Sequence, residues 1–394
     1  VYGPGADTAY DIHEAKDGEE LSVGKLRIKV IHTPGHTPES TTYLLLNEKG
    51  EEHAIFTGDT LFIGDVGRPD LAQKATGLTK EDLAGWLFDS LRNKIMQLPD
   101  HVIVYPAHGA GSACGKNMSS ETSDTLGNQK NTNYALREDM TKDEFIKEVT
   151  SELAEPPQYF AKNAGLNKYG YSPIDEVISK GLRAHKVEEF KSLIANDDVL
   201  VLDVRDRASF VKSHIPGSIF IGIGGSFAPW VGALISNIQQ KIALVAPVGN
   251  EEETVRRLAR VGYDHTVGYL EGGFESWINS NEEYESIESV SVEDFSSFTL
   301  DRKVIDVRKP SEFAATHLSI AKNIPLDFFP KENYASLDKN DAYYVHCRSG
   351  FRSTIACSIL KREGFKKLTN VIGSFDVIKD KMEVEGSCPS LITS

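Results

Sequence analysis

The chain has 394 residues, of which 40% are hydrophobic and 26% charged, and it carries a formal net charge of −15 at pH 7. A chain of this length has room for two or three domains, each with its own packed core. The acidic balance argues against nucleic acid or an anionic membrane as a main partner, and no apolar run approaches the ~20 residues of a membrane-spanning helix.

Short strands and one capped helix are predicted in the first third of the chain. The residue pattern predicts strands at residues 26–31, 41–46, 53–57 and 102–105. Thr79, with Asp82 three residues later, has the pattern of a capping box at the start of a helix. This mixture indicates a domain of the α/β or α+β class.

Three of the predicted strands lead into loops that carry histidine or aspartate. His36 follows the first strand, Asp59 lies in a Thr-Gly-Asp-Thr segment, and His108 lies in a Tyr-Pro-Ala-His-Gly segment. Loops that leave one edge of a sheet converge, so we expect these three side chains to contribute to one site.

In this order the motifs resemble the metallo-β-lactamase superfamily, over about residues 1–168. The resemblance implies an αββα sandwich of two sheets between helices, here lacking its first strands. It further implies that His36 and Asp59 are metal ligands. His108 matches a histidine that binds a second metal in dinuclear members, or that lines the pocket.

The segment from Gly58 to Asp70 resembles the persulfide dioxygenase branch of that superfamily, whose members oxidise a thiol persulfide to sulfite. This resemblance implies one Fe(II) per chain, held by two histidines and a carboxylate, with zinc as the alternative metal. Arg68 is a candidate contact for an anionic substrate, or else a solvated loop arginine. Cys114 is a candidate pocket residue, or else a small buried cysteine.

One motif of the superfamily does not occur in residues 1–394. Its first metal ligands come from a His-x-His-x-Asp-His loop, and no such loop is present here. Because His36 and Asp59 alone are too few to hold iron firmly, we expect this domain to be N-terminally incomplete. We expect no oxygenase turnover from the chain as given.

The rest of the chain contains two copies of one unit. Residues 200–205 and 303–308 share an apolar run that ends in Asp-Val-Arg, and a histidine follows each run. The separation between the two aspartates, Asp203 and Asp306, is 103 residues, and the two histidines, His214 and His317, have the same separation. Equal offsets predict a repeated α/β unit of about 100 residues with a buried parallel strand. We expect each Asp and Arg to fix the following turn.

The upstream copy lacks a nucleophile where its next strand ends. Ala246 and Pro247 follow that strand, and proline has no N–H to donate. We expect Asn250, together with Glu253, to cap the following helix, whose first turn is acidic. Negative charge would then fill the anion site, so this copy is predicted to be catalytically inactive.

The downstream copy has a cysteine at the corresponding place. Cys347 follows an apolar strand and precedes a helix that we expect to stop at Gly364. Converging backbone N–H groups and the positive end of the helix dipole favour the thiolate there. Arg348 and Arg352 add positive charge, and Gly350 lets the loop curl around an anion.

The length of this loop distinguishes two chemistries. A phosphatase-type loop places five residues between cysteine and arginine, whereas four separate Cys347 from Arg352, which suits a single sulfur atom. The loop resembles that of rhodaneses, and the paired copies resemble tandem rhodaneses over about residues 172–394. The resemblance implies that Cys347 carries sulfur as a persulfide, stabilised by Arg348 or Arg352. A buried cysteine beside a chance turn is the alternative interpretation.

These observations predict three domains: residues 1–168, metallo-β-lactamase-like and incomplete; residues 169–287, an inactive rhodanese-like domain; and residues 288–394, an active rhodanese. The predicted function is sulfide detoxification, in which iron-dependent oxidation of a thiol persulfide to sulfite is coupled to sulfur transfer through Cys347. The alternatives are a glyoxalase II-like thioester hydrolase with a rhodanese module, and a sulfur-carrier or sensor protein with a non-catalytic first domain.

The expected partners are small molecules, namely a thiol persulfide, sulfite and thiosulfate, and we expect no nucleic acid and no membrane. The four cysteines have irregular spacing that does not form a disulfide framework, which favours a reducing cytoplasm. We also expect a homo-oligomer.

Overall fold

The chain divides into two units, Val1–Gly170 and Tyr171–Ser394. The computed structural model describes residues 1–73, 77–110, 112, 114–116, 118–151, 153, 159–297, 302–331 and 333–386. No helix within these residues is both long enough and apolar enough to cross a lipid bilayer.

The described part of the first unit contains one six-stranded sheet. Its strands, which lie side by side in chain order, are β1 (Glu20–Val23), β2 (Leu26–His32), β3 (Thr41–Leu46), β4 (Glu52–Gly58), β5 (Ile103–Pro106) and β6 (Asp124–Thr125). All neighbours are antiparallel except β4 and β5, which are parallel. Strands β2 to β5 confirm the four predicted strands.

Helices α1 (Lys80–Ser90) and α3 (Lys142–Thr150) pack against one face of this sheet. The unit also contains α2 (Leu126–Thr132), α4 (Tyr159–Tyr169), a π-helical turn at Leu91–Ile95 and a 3-10 turn at Tyr134–Leu136. Thr79 and Asp82 form the predicted capping box of α1. Ile55 of β4, Leu87 of α1 and Phe145 of α3 belong to one buried apolar core. This packing fixes the edge of the sheet at which β2, β4 and β5 end.

In the described part of the second unit there are two five-stranded sheets, each with all its strands parallel, and they have the same strand order. In the upstream repeat the order is β7 (Ala184–His185), β11 (Thr266–Leu270), β10 (Lys241–Val245), β8 (Val199–Asp203), β9 (Ile219–Phe220). In the downstream repeat it is β12 (Glu288–Ser291), β17 (Lys367–Ile372), β16 (Ala342–His346), β13 (Lys303–Asp306), β15 (Ala321–Asn323). A small antiparallel pair, β14 (His317–Leu318) and β18 (Val384–Glu385), completes the downstream repeat.

Short helices connect these strands. Those of the upstream repeat are α5 (Ile174–Gly181), α6 (Val187–Ile194), α7 (Arg207–Lys212), α8 (Phe227–Leu234), α9 (Glu251–Ala259) and α10 (Gly273–Asn279). Those of the downstream repeat are α11 (Val292–Ser297), α12 (Pro310–Ala315), a 3-10 helix at Leu326–Lys331, α13 (Phe351–Arg362) and α14 (Phe375–Lys379). Helix α13 ends just before Gly364, as predicted, and that glycine has a φ of +93°.

The repeated Asp-Val-Arg motif has the same structural role in both copies. Arg205 Nη2 donates to Asp203 Oδ2 at 2.7 Å, and Arg308 Nη2 donates to Asp306 Oδ2 at 2.6 Å. Both carboxylates are fully buried at the end of a strand. The same nitrogen of each arginine also donates to a backbone carbonyl eight residues further on, at 2.8 Å. The pair therefore fixes the turn after the strand, as the sequence predicted.

The two repeats share part of their apolar core. Phe210 and Phe220 of the upstream repeat pack in one cluster with Ile305 and Tyr343 of the downstream repeat. The backbone N–H of Phe220 also donates to Ser358 Oγ of α13 at 3.0 Å. The interface is therefore built from buried side chains of both copies.

The predicted cap of α9 is wrong in its detail. Asn250 is the residue before the helix, but its side chain binds no backbone N–H. Its φ of −104° and ψ of 6° are not the extended conformation that directs a capping side chain toward the first turn. Instead, Asn250 Nδ2 donates to Glu253 Oε2 at 3.2 Å.

Candidate functional site

The loop between β16 and α13, residues 347–350, and the first turn of α13 lie around the sulfur of Cys347. The Cys347 side chain is 2% exposed, and the backbone N–H of Gly350 donates to its Sγ at 3.2 Å. Gly350 has a φ of +89°, which a side chain would strain, so the curl of the loop depends on glycine. The N–H group therefore points at the sulfur from the start of α13, where the helix dipole also favours negative charge.

A chain of two polar side chains lies on the inner side of the loop. Ser353 Oγ is 3.6 Å from Cys347 Sγ and donates to Asn370 Oδ1 at 2.6 Å. Both side chains are fully buried. Neither residue stands out in the sequence; the one signal is that Asn370 is an amide in the buried part of strand β17.

The two loop arginines have different surroundings. Arg352 makes a two-pronged ion pair with Glu312 of α12, at 2.5 and 2.9 Å. The Arg352 guanidinium holds the pKa of the Glu312 carboxyl below its usual range. Arg348 is exposed, and its carbonyl accepts the N–H of Phe375 at 2.9 Å. The structure therefore leaves the Arg348 side chain facing solvent and holds Arg352 in one orientation.

His346, directly before the nucleophile, is fully buried and stacks on the ring of Phe375 with the centroids 5.7 Å apart. Neither of its ring nitrogens has a hydrogen-bond partner among the described residues. Burial lowers the pKa of this imidazole, because the charged form would lose its hydration. The buried imidazole of His346 is therefore neutral at pH 7, and it packs against Phe375 directly before the loop.

The corresponding loop of the upstream repeat is filled by its own carboxylate. Gly249 has a φ of +92°, close to that of Gly350, but its N–H donates to Glu251 Oε2 at 2.8 Å. A cavity of about 540 Å³ lies beside this loop, between the two repeats. Its lining includes Arg207, Phe220, Trp230, Pro247 and Phe351.

A second cluster of functional side chains lies in the first unit, where β2, β4 and β5 end. His36 Nε2 is 3.2 Å from Asp59 Oδ2, and His108 Nε2 is 3.4 Å from Asp59 Oδ1. The structure thus brings together the three residues that the sequence singled out. Burial alone would raise the pKa of the Asp59 carboxyl, but the hydrogen bond from His36 and the charges of both histidines lower it.

The donor set of this cluster fits a divalent metal. His36 Nδ1 is 2.9 Å from the carbonyl oxygen of Arg68 and donates there, so Nε2, which faces Asp59, is the ring nitrogen that would bind a metal. Asp59, His108 and Cys114 also each offer one ligand atom, and these atoms lie within 4.8 Å of one another. Imidazole and carboxylate ligands suit both iron and zinc.

The two pocket candidates lie beside this cluster. Arg68 is 6% exposed, so it is not a solvated loop residue; its Nε and Nη2 both bind Asp70, each at 2.7 Å. Its backbone N–H donates to the carbonyl of Cys114 at 3.0 Å. Burial raises the pKa of the Cys114 thiol. Arg68 thus reaches the cluster through its backbone, while Cys114 reaches it through its side chain.

Two known protein families match parts of this chain. Residues 2–108 match the family described as metallo-beta-lactamase superfamily, and residues 186–280 and 292–381 match the one described as rhodanese-like domain. The fold and the sites therefore define a metallo-beta-lactamase domain followed by tandem rhodanese-like domains.

A metallo-beta-lactamase structure from Staphylococcus aureus subsp. aureus COL is 30% identical, with a TM-score of 0.55, and the match covers 66% of this chain and 70% of that one. The chain belongs to the metallo-beta-lactamase superfamily.

Other similar proteins match shorter parts. The structure of ETHE1 from Myxococcus xanthus is 27% identical with a TM-score of 0.33, over 42% of this chain and 62% of that one. Hydroxyacylglutathione hydrolase of Dictyostelium discoideum is 36% identical over 95 residues, which are 24% of this chain and 32% of that protein. The chain spans about two fifths of the length of the curated relatives it matches.

Proposed function

We propose that the downstream repeat transfers sulfane sulfur through a persulfide on Cys347. The observation that carries this proposal is the Gly350 N–H directed at Cys347 Sγ, 3.2 Å away, at the N-terminal end of α13. A backbone donor and a helix dipole stabilise a thiolate, and they stabilise the terminal sulfur of a persulfide anion in the same way.

The transfer step is a displacement at sulfur. The Cys347 thiolate attacks the outer sulfur of thiosulfate or of a thiol persulfide, a new S–S bond forms, and the old S–S bond breaks with its electron pair. Sulfite or a thiolate leaves. An acceptor, which is sulfite or another thiolate, then removes the sulfur from Cys347 and restores its thiolate.

For the first unit we infer a metal-dependent persulfide dioxygenase. His36 and Asp59 would contribute two ligands to the metal, Fe(II) in this proposal, together with ligands from a His-x-His-x-Asp-His loop that residues 1–394 do not contain. His108 would lie beside the metal, which would supply open positions for O₂ and the persulfide. One persulfide, one O₂ and one water yield a thiol, sulfite and two protons. The sulfite is an acceptor for the sulfur on Cys347, so the two reactions together would convert persulfide sulfur to thiosulfate.

Mass spectrometry tests the Cys347 proposal. After incubation with thiosulfate and removal of excess reagent, we expect the peptide that contains Cys347 to gain the mass of one sulfur atom. Reduction with a thiol should remove that sulfur. Sulfur gained at Cys114 or Cys357, with none at Cys347, would contradict the proposal.

A thioester hydrolase of the glyoxalase II kind is the second candidate for the first unit. The similarity to a protein named hydroxyacylglutathione hydrolase favours it. Metal content and oxygen uptake separate the candidates. In a protein that also carries a His-x-His-x-Asp-His loop, one iron per chain and uptake of O₂ with a thiol persulfide, both lost in His36→Ala, support the dioxygenase. Two zinc ions and hydrolysis of a glutathione thioester support the hydrolase.

A further inference from the structure

We propose that Arg207, in the upstream repeat, is a positioning residue for the sulfur-transfer loop of the downstream repeat. This inference rests on the proposed role of Cys347 and extends it to a residue outside the active copy. Arg207 is the first residue of α7, and it is half-buried at the interface between the repeats.

The contact is made to the peptide group that faces the sulfur. Arg207 Nη1 donates to the carbonyl oxygen of Ser349 at 2.6 Å. The N–H of the same peptide group belongs to Gly350, and it donates to Cys347 Sγ at 3.2 Å. A trans peptide is planar, with its C=O and N–H pointing in opposite directions. Holding the oxygen from one side therefore fixes the direction of the N–H on the other side.

The guanidinium of Arg207 also makes the Gly350 N–H a stronger hydrogen-bond donor. A hydrogen bond from a charged donor is shorter and about twice as strong as one between neutral groups. Hydrogen bonds in series polarise one another, so a cation at the Ser349 carbonyl makes the Gly350 N–H a better donor to a negatively charged sulfur. Arg207 thus stabilises the thiolate and the persulfide of Cys347 without touching either.

Glycine at position 350 is necessary for this approach. A Cβ on Gly350 would lie 2.7 Å from Arg207 Nη1, and its φ of +89° already disfavours a side chain. The loop thus has room for the guanidinium because residue 350 has no side chain.

The contact runs in one direction between the repeats. At the 103-residue offset, the residue corresponding to Arg207 is Pro310, which has no charged group. The Gly249 N–H of the upstream loop is already bound to Glu251. The upstream repeat has lost its own nucleophile, and through Arg207 it contributes to the loop of the other copy.

Two substitutions at Arg207 and one matched control test this proposal in the full chain. Arg207→Gln removes the charge, and Arg207→Lys keeps a cationic donor. The control is Arg362→Gln, because Arg362 Nη1 donates to the carbonyl of Gly217 at 3.0 Å and so makes the same kind of bond between the repeats, away from the loop. The readouts are kcat and KM for thiosulfate, and the rate at which iodoacetamide alkylates Cys347 at neutral pH, followed by peptide mass spectrometry.

We expect Arg207→Gln to lower kcat about tenfold with little change in KM, and to slow alkylation of Cys347 by a similar factor, since a weaker N–H donor gives less stabilisation to negative charge on the sulfur. Arg207→Lys should recover most of both rates. Arg362→Gln should behave as the wild type. Faster alkylation of the buried Cys347 in Arg207→Gln would indicate a loosened interface and overturn the proposal, as would equal losses in Arg362→Gln.

The rate of Cys347 alkylation distinguishes a failure of this inference from a failure of the proposed function. If the wild type transfers no sulfur but Arg207→Gln still slows alkylation, the sulfur-transfer function fails while the positioning role of Arg207 stands. If sulfur transfer is normal and neither rate changes in Arg207→Gln, the positioning role fails while the function stands.

Discussion

The two repeats of the second unit have one scaffold and two different loops. Their sheets share a strand order, and each repeat contains the same buried Asp–Arg pair. Each also has a glycine with φ near +90° after its central strand, β10 or β16. In the downstream loop the glycine N–H faces the sulfur of Cys347. In the upstream loop the equivalent N–H faces the carboxylate of Glu251.

The two loops differ in a few side chains and not in the backbone scaffold that holds them. Glu251 is the sixth residue after strand β10, and Arg352 is the sixth residue after strand β16, so the charge at the start of the helix is reversed. The upstream carboxylate occupies the donor that a persulfide would need. The scaffold is retained, and it serves as the surface against which the downstream loop is held.

The largest expected effect is that of Cys347→Ser, which removes the nucleophile. We expect thiosulfate sulfurtransferase activity to fall at least about 10³-fold, because a serine hydroxyl does not form the persulfide. Circular dichroism and the unfolding midpoint should stay unchanged.

A cysteine placed in the upstream loop sharpens this comparison. Ala246→Cys in the Cys347→Ser background should restore no transfer, because Glu251 occupies the Gly249 N–H and Pro247 donates none. Transfer regained in the double variant would break the comparison, since the upstream loop would then be competent.

The Asp–Arg pairs should stabilise the two repeats to the same extent. Asp203→Asn and Asp306→Asn each leave a buried guanidinium without its carboxylate, and we expect each to cost about 4 kcal/mol of the free energy of unfolding. Hydrogen–deuterium exchange, which reports on each repeat separately, is the measurement. A loss confined to the downstream repeat would show that the pair serves the active loop and not the scaffold.

His214 of the upstream repeat should make that repeat sensitive to acid. Burial lowers the pKa of His214 to about 4, from an ordinary value of 6.5. The unfolded chain therefore binds a proton at a higher pH than the folded one does, and stability that is full above pH 6.5 is lost as the pH falls toward 4. This loss reaches about 3 kcal/mol at pH 4.

Urea unfolding between pH 7 and pH 4 measures this effect, with His214→Asn as the comparison. Asparagine keeps a donor near the carbonyl of Phe210, which is 2.8 Å from His214 Nδ1. The variant should lack this part of the pH dependence. If the free energy of unfolding falls equally with pH in the wild type and in His214→Asn, the acid sensitivity does not come from His214.

The smallest expected effect concerns the ion pair between Glu312 and Arg352. Because the pKa of Glu312 is lowered by Arg352, its stabilising contribution is present above the ordinary carboxyl value of 4.5 and is lost as the pH falls through the lowered one. The pair is partly exposed, so Glu312→Gln should cost only about 1 kcal/mol at pH 7.

Glu312→Gln should also slow sulfur transfer several-fold, since Arg352 loses the partner that orients it. Thermal unfolding at pH 7 and pH 4 and the transfer rate are measured together. An unchanged transfer rate would assign the pair to stability alone and leave Arg348 as the arginine that acts in the loop.

Much of the fold was predictable because it depends on local patterns. The strands of the first unit, the capping box at Thr79 and the helix after Cys347 follow from alternation, capping and glycine placement within a few residues. The two repeats followed from one constant offset. The cap at Asn250 was predicted wrongly, because the backbone around that residue is set by the loop and not by its residue type.

The sequence by itself singled out the candidate site residues: Cys347 in a loop that resembles that of rhodaneses, and His36, Asp59 and His108 at strand ends. Only the tertiary structure decided what these residues face. The ion pair of Arg352 with Glu312 and the bond from Arg207 to Ser349 join residues 40 and 142 positions apart. Such contacts depend on how the elements pack, and local residue patterns carry no information about packing over those distances.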